Sequence, residues 1–280
     1  MNFMIVLIAA ALVGIAVSSL GVMLVGRFRF DAKIRRIKTA LRSESGSEER
    51  FSFEMLEGLP PAASRYLSHT IRPGTVLARR VEIEMSGQFR PGEKADWVPF
   101  EAQQVLAGCT GFVWIARMRV RRFMFLSGAD SYYRGEGRVR FSLMGIVPVA
   151  DAAGPDVDRS AAGRLLIESC LIPTAFLPQR GARWRTSDDK RARVSLSVDG
   201  HSANITLRFN AGGSLKEAVM RRYHTGKDHE GELVPFGVAV EEEREFNGYV
   251  IPSRFRVGWW FGTEDYDEFL RAEIKSARFY

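Results

Sequence analysis

Three groups of side chains have the types that do chemistry. His224-Thr225-Gly226-Lys227-Asp228-His229-Glu230 holds two imidazoles and two carboxylates within seven residues. Those groups ligate zinc, but they fall in a Gly/Lys/Asp turn. The i, i+4 helical spacing that preorganises a zinc pair is missing, so a solvated loop is expected and no metal is assigned. Glu241, Glu243 and Glu245 alternate along a predicted strand and share one face. Arg254 and Arg256 on the partner strand are their expected cross-strand partners. Glu264, Asp265, Asp267 and Glu268 follow the Gly262 turn and read as an exposed loop. Neither acidic cluster holds two carboxylates in contrasting environments, which acid–base catalysis requires.

The third group is Asp130, Tyr132, Tyr133, Arg134 and Asp151, around a glycine-rich stretch. An enzyme would need these polar groups to converge in one pocket. No Gly-x-Ser-x-Gly elbow, phosphate loop, Gly-x-Gly-x-x-Gly or His-Glu-x-x-His occurs. No catalytic residue and no cofactor is therefore assigned.

The rings offer a different chemistry. Nineteen Phe, seven Tyr and five Trp supply far more large apolar groups than titratable candidates. Phe89, Trp97, Phe100, Trp114 and Trp259 lie on or near predicted strands and are expected to line an apolar site, with Asp151 at its rim. The plainer expectation is that such rings fill a core.

These residues must be positioned by elements, and the chain divides into three. Residues 1–26 carry no charge, and the run 3–25 is 23 residues long. At 1.5 Å per residue it spans about 35 Å, enough to cross a hydrocarbon core of about 30 Å. It exceeds a signal-peptide core, lacks a charged leader, and has no small-x-small site before its basic flank. A membrane anchor is expected. Residues 27–50 form a basic juxtamembrane segment and a linker, and residues 51–280 a globular, mainly β domain. Arg27, Arg29, Lys33, Arg35, Arg36, Lys38 and Arg42, opposed only by Asp31, hold six of the seven net positive charges. The pI of 9.6 therefore points to anionic headgroups rather than nucleic acid. Ile34, Ile37 and Leu41 make one apolar stripe, suited to lying on the membrane or continuing the anchor. Basic flanks stay in the cytoplasm, which predicts a single pass through the plasma (inner) membrane with the domain inside. Cys109 and Cys170 are then reduced thiols.

A helix is expected from Leu59-Pro60-Pro61 through His69, and another from Arg159 to Leu171 capped by Asp158. Alternation predicts strands over 75–89, 97–106 and 111–120. Asp199-Gly200 and Asn247-Gly248 predict two hairpins in a C-terminal meander. The fold class is α+β: a large, curved antiparallel sheet or half-barrel with a few helices on one face.

Several phrases carry a resemblance. They are Leu59-Pro60-Pro61 with Arg65-Tyr66-Leu67, Gly87-Gln88-Phe89-Arg90, Trp97-Val98-Pro99-Phe100-Glu101-Ala102-Gln103, and Gly111-Phe112-Val113-Trp114-Ile115-Ala116-Arg117. Gly135-Glu136-Gly137-Arg138-Val139, Pro148-Val149-Ala150-Asp151, Val250-Ile251-Pro252-Ser253 and Val257-Gly258-Trp259-Trp260 complete them. Over most of 55–280 the chain resembles a family of uncharacterised bacterial membrane-anchored proteins with no established activity. The closing hairpin also resembles lipoprotein-carrier and lipoprotein-sorting domains. That likeness implies a half-barrel with an aromatic cavity for acyl chains. The expected function is thus a membrane-tethered, non-catalytic binding protein for a lipid or acyl group. The alternatives are an interaction domain for another membrane protein and, third, a membrane-anchored enzyme of unknown reaction. A lipid or membrane-protein partner is expected, and no nucleic acid.

Overall fold

The structure, a computed structural model, describes residues 2–43, 46, 48–92, 95–226 and 231–280. Helix α1 (Asn2–Arg42) is unbroken. Helix α2 (Pro61–Thr70) follows a short 3-10 turn. Six strands come next: β1 (Arg80–Phe89), β2 (Val98–Ala107), β3 (Gly111–Arg121), β4 (Met124–Tyr133), β5 (Glu136–Leu143) and β6 (Val147–Ala153). Helix α3 (Pro155–Ile167) and three 3-10 turns lead to the return half. That half is β7 (Arg183–Asp188), β8 (Arg191–Val198), β9 (His201–Phe209), β10 (Leu215–Tyr223), β11 (Leu233–Phe246), β12 (Tyr249–Trp259) and β13 (Asp267–Phe279).

All thirteen strands join one antiparallel, curved sheet in the order β6-β5-β4-β3-β2-β1-β13-β12-β11-β10-β9-β8-β7. The chain steps outward from β1 to β6, crosses by α3, and steps back from β7 to β13. The β1–β13 pairing joins distant parts of the chain, with Val81 opposite Phe279 and Phe89 opposite Leu270. Neighbouring pairs form because the turns are built for them. Asp199 and Gly200 take φ 45 and 82, and Asn247 and Gly248 take φ 51 and 86. Both are left-handed pairs, the backbone of a tight hairpin. A side chain at Gly248 would also crowd the Thr75 side chain, so both the turn and its neighbour favour glycine there.

Alternation gives the sheet two unlike faces. The inner face carries Val81, Ile83, Phe100, Phe112, Trp114, Phe141, Leu207, Val238, Phe255 and Ile274, all buried in one core with α2 and α3. The outer face of β2, β3 and β4 carries Val105, Val113 and Ala129, which pack against Ile34, Ile37 and Leu41 of α1. The apolar stripe on the basic helix thus lies on protein. Leu41 is fully buried, worth about 2 kcal/mol by area.

Two further features differ from expectation. Helix α3 begins at Pro155, since proline at the first helical position needs no N–H partner. Asp158 then sits inside the helix, and its Oδ1 accepts from Gly137 N–H at 2.6 Å. Residues 124–153 form three strands whose short, glycine-rich runs gave no clear alternation. The linker expected over 43–50 falls partly on 44, 45 and 47, outside the described residues.

Candidate functional site

The inner face of β2 to β5 holds a ring assembly. Trp114 on β3 lies between Phe100 on β2 and Phe141 on β5, with centroids 5.8 and 6.2 Å away. Phe100 and Trp114 are 3% and 5% exposed. They belong to the same buried core as Ala161 and Ala162 of α3.

An ionic cluster runs through this apolar interior. Arg164 of α3 reaches Asp130 Oδ2 on β4 at 2.6 Å and Glu168 Oε1 at 2.7 Å. Gln104 Nε2 on β2 donates to Glu168 Oε2 at 2.6 Å. Arg164 also lies over the rings of Phe112 and Trp114, at 4.6 and 5.2 Å. Burial opposes the Arg164 charge, but Glu168 and Asp130 outweigh it and raise the guanidinium above its ordinary range. Arg222 on β10 donates Nε–H to the Ser160 carbonyl at 2.9 Å. It covers Phe236 and Trp259 at 4.5 and 4.9 Å. Burial, and then repulsion from Arg164, lowers it to about 10. Two arginines and two carboxylates balance, and each cation rests on rings. This cluster pins the crossing helix to the sheet, and it leaves Asp130 Oδ1 buried without a hydrogen-bond partner, its carboxyl raised above the usual range by burial.

Of this cluster only Asp130 is among the residues expected from sequence; Arg164, Glu168 and Arg222 are not. A strand signal existed: Arg222 shares parity with buried Ala218 and Met220, and Asp130 with buried Tyr132. A charge at a core position of a strand demands a buried partner. The partner on α3 was not legible, because α3 lacks a clear apolar face.

At one rim the inner face stops being sealed. Phe89 of β1 pairs with Val98 of β2 on one side and Leu270 of β13 on the other. All three are half-exposed. Val120 extends the row on β3, two residues beyond the Met118–Phe100 pair, and is exposed. Phe269 links this rim to the next ring group, at 6.2 Å from Phe89 and 6.3 Å from Trp259. Trp259 is half-exposed, with Phe236 and His224 each 4.7 Å away.

The expected site residues therefore separate. Phe100 and Trp114 are interior, and Phe89 and Trp259 are at the rim. Trp97 lies under the guanidiniums of Arg90 and Arg271, at 5.3 and 4.4 Å. Asp151 stands apart from the rings. Its β5 partner is Arg140, so alternation puts it on the outer parity, where it pairs with Arg138 and Arg140. The residues of the enzyme reading do not converge either. Asp130 faces inward to Arg164, and Tyr132 Oη donates to Asp199 Oδ2 at 3.0 Å. Tyr133 packs on the α1 side, with Arg134 over its ring at 5.2 Å.

Glu241 does meet Arg254 and Arg256. A register shift at Val240–Glu243 turns the next acids elsewhere. Glu243 Oε2 meets His69 Nε2 at 2.9 Å, and Glu245 meets Arg72 at 2.8 Å. Of the histidine-rich loop, Lys227, Asp228, His229 and Glu230 lie outside the described residues. Among the described residues no group of three or more metal-binding side chains occurs. Cys109 and Cys170 are free thiols. Burial raises both, Cys170 to about 12.

Two clefts open on the outer face. One of about 290 Å³ lies between α1 and the sheet, over Phe30, Ile34, Ile115 and Ala129. The other, of about 800 Å³, lies at the β3–β4 end of the sheet, beside Arg117, Arg119, Arg121 and Arg122. The apolar part of α1 leaves the sheet at this same end: the Gly26 carbonyl accepts from Arg140 Nη1 at 3.2 Å, and Arg27 abuts the β5–β6 turn at Gly145. Helix α1 is the one described helix long and apolar enough to cross a membrane, and its apolar window buries nothing inside the protein.

Over residues 57–279 the chain matches, and belongs to, a family of unknown function, DUF6920. No curated protein matches it in sequence. Among solved structures it is similar to a LolA superfamily protein from Nitrosomonas europaea, with a TM-score of 0.42 and 12% identity over 78% of this chain and 92% of that one. It is also similar to a domain described as outer membrane lipoprotein-sorting from Vibrio parahaemolyticus, with a TM-score of 0.38 and 6% identity over 71% and 85%. A DUF1329 family protein from Desulfovibrio piger follows, with a TM-score of 0.35 and 13% identity over 72% and 86%. These are likenesses of the open-sheet fold.

Proposed function

We propose that this member of a family without known activity is a membrane-tethered binding protein for an apolar ligand of the lipid or acyl class. One observation carries the reading. The inner face ends in a row of half-exposed apolar side chains, Leu270, Phe89, Val98 and Val120, on four neighbouring strands. Apolar side chains left half-open at the rim of a packed core offer an apolar ligand a place to complete their burial. Phe269 and Trp259 extend it, with Phe100 and Trp114 behind as a rigid ring floor. Trp97 and Asp151 serve this site less directly: Trp97 holds Arg90 and Arg271 beside the rim, and Asp151 fixes the β5–β6 edge.

In this reading α1 spans the plasma membrane once and brings the rim close to the bilayer. The basic segment after it holds the domain on the cytoplasmic side. Native mass spectrometry of the full chain, released from detergent micelles or from excised membrane patches, tests the ligand. A retained lipid mass that the double variant Phe89→Ser, Phe269→Ser loses supports the proposal. A bare chain in both preparations contradicts it. A second reading, an interaction domain for another membrane protein, is favoured by the sealed interior at Phe100 and Trp114, and that bare chain would support it.

A further inference from the structure

We infer that the β3–β4 hairpin is a docking element that seats this end of the sheet on the anionic headgroup layer of the bilayer entered by α1. The inference rests on the tethered reading above and adds the surface that orients the domain.

The charges come first. Arg117, Arg119, Arg121 and Arg122 are exposed and make no ion pair among the described residues. Several arginines elsewhere on the domain behave differently. Arg42 is paired with Glu82, Arg90 with Asp267, Arg138 with Asp151 and Arg271 with Glu268. Four cations within six positions, with only Glu101 at the same cleft, repel one another and want an external anion. Their rings present them for one. Arg117 lies 3.9 Å over Phe125, and Arg122 5.3 Å over Phe123. Such stacking holds the stem and leaves the charged fork outward, suited to bidentate contact with phosphate oxygens.

The apolar groups point to a bilayer rather than a soluble anion. Phe123 at the tip is 79% exposed, and Val120 and Met124 flank it at 40% and 38%. The adjacent β5–β6 turn exposes Met144 and Val147 at 44% and 46%. Rings and aliphatic tips among arginines suit an interface where charge meets hydrocarbon.

Position completes the argument. Arg27 abuts Gly145, and Leu143 in the preceding strand pairs with Leu126 of β4. The β3–β4 tip projects two to three residues beyond Leu126, about 8 Å at strand rise. Gly145 already lies two residues beyond Leu143, so Phe123 and Arg27 stand near one level and the apolar turns of α1 begin just past it. A bilayer entered by those turns has its headgroups at the arginines.

Hydrogen exchange on the full chain in lipid nanodiscs tests this. One disc contains phosphatidylcholine alone and the other adds phosphatidylglycerol. Amides of 119–125 and 144–148 are expected to exchange at least about fivefold slower in the anionic disc. Arg121→Glu with Arg122→Glu should abolish that difference, while amides of β1 and β13 keep wild-type protection and so report an intact fold. Equal exchange in both discs overturns the docking. So does an anionic-disc effect that survives the double charge reversal. A wild-type chain that does not co-elute with discs overturns the anchor itself, and the docking with it. A chain that docks but retains no lipid leaves this inference standing and removes only the ligand reading.

Discussion

Arg164 of α3 and Asp130 of β4 form an ion pair at 2.6 Å inside the ring-filled face of the sheet. It joins the one crossing helix to the half of the sheet laid down before it. Glu168 takes the Nε–H of the same guanidinium at 2.7 Å. Arg164→Met should therefore cost about 3 kcal/mol, because two carboxylates lose the guanidinium they share. Denaturant unfolding of the full chain in a mild detergent reads the loss. Pairing it with Asp130→Asn should recover part of the loss. A strictly additive double variant would show that the pair is not coupled.

Alkaline pH should loosen the core. Burial raises the Tyr249 phenol from 10 to about 12, and the Cys170 thiol from 9 to about 12. Both acids lose protons more readily once unfolded. Their stabilisation is whole below pH 9 and declines as pH rises toward 12. Tyr249 Oη donates to the Val76 carbonyl at 2.5 Å and accepts from Ala78 N–H at 2.8 Å. Tyr249→Phe should lower stability by about 1 kcal/mol at neutral pH and flatten the decline between pH 10 and 12. An unchanged slope in that window would remove Tyr249 from the account.

The contact between α1 and the sheet should be separable from the anchor. Ile37 is 7% exposed against the outer face. Ile37→Asp puts a carboxylate there and should release the helix. Trypsin would then cut at Arg35, Arg36 and Lys38 several-fold faster, with 80–280 still resistant. Unchanged cleavage rates would mean that the helix does not depend on this contact.

Topology is predicted from charge alone. Seven basic residues follow the apolar run, so the domain should stay in the cytoplasm. A C-terminal fusion should give cytoplasmic fluorescence and no phosphatase activity in the opposite compartment. The reverse pattern would put the domain outside.

The sheet was legible because its cues are local. Asn247-Gly248 and the alternation from Tyr249 to Trp259 need only their own residues to specify a hairpin, and β11 and β12 form it. The helix α2 was equally plain from Pro60-Pro61. The site was less legible because its residues meet through long-range register. Nothing near Asp151 in sequence tells that it faces Arg140 across β5 and β6, away from Trp114. Ile34, Ile37 and Leu41 announced a buried stripe, but not whether lipid or protein would bury it. The unpaired arginines of β3 were visible one by one. Their lack of a carboxylate depends on three-dimensional neighbours, since Arg42, Arg90, Arg138 and Arg271 each meet one.

Photo-cross-linking in cell membranes tests the central claim most directly. Cells expressing the full chain are fed a photoactivatable fatty acid, illuminated, and the adducts mapped by peptide mass spectrometry. The account predicts adducts on peptides carrying Phe89, Val98 and Phe269–Leu270, reduced several-fold by Phe89→Ser with Phe269→Ser. Adducts confined to residues 2–26, with the rim peptides unlabelled, would show a chain that touches lipid only through its anchor and would contradict the binding function.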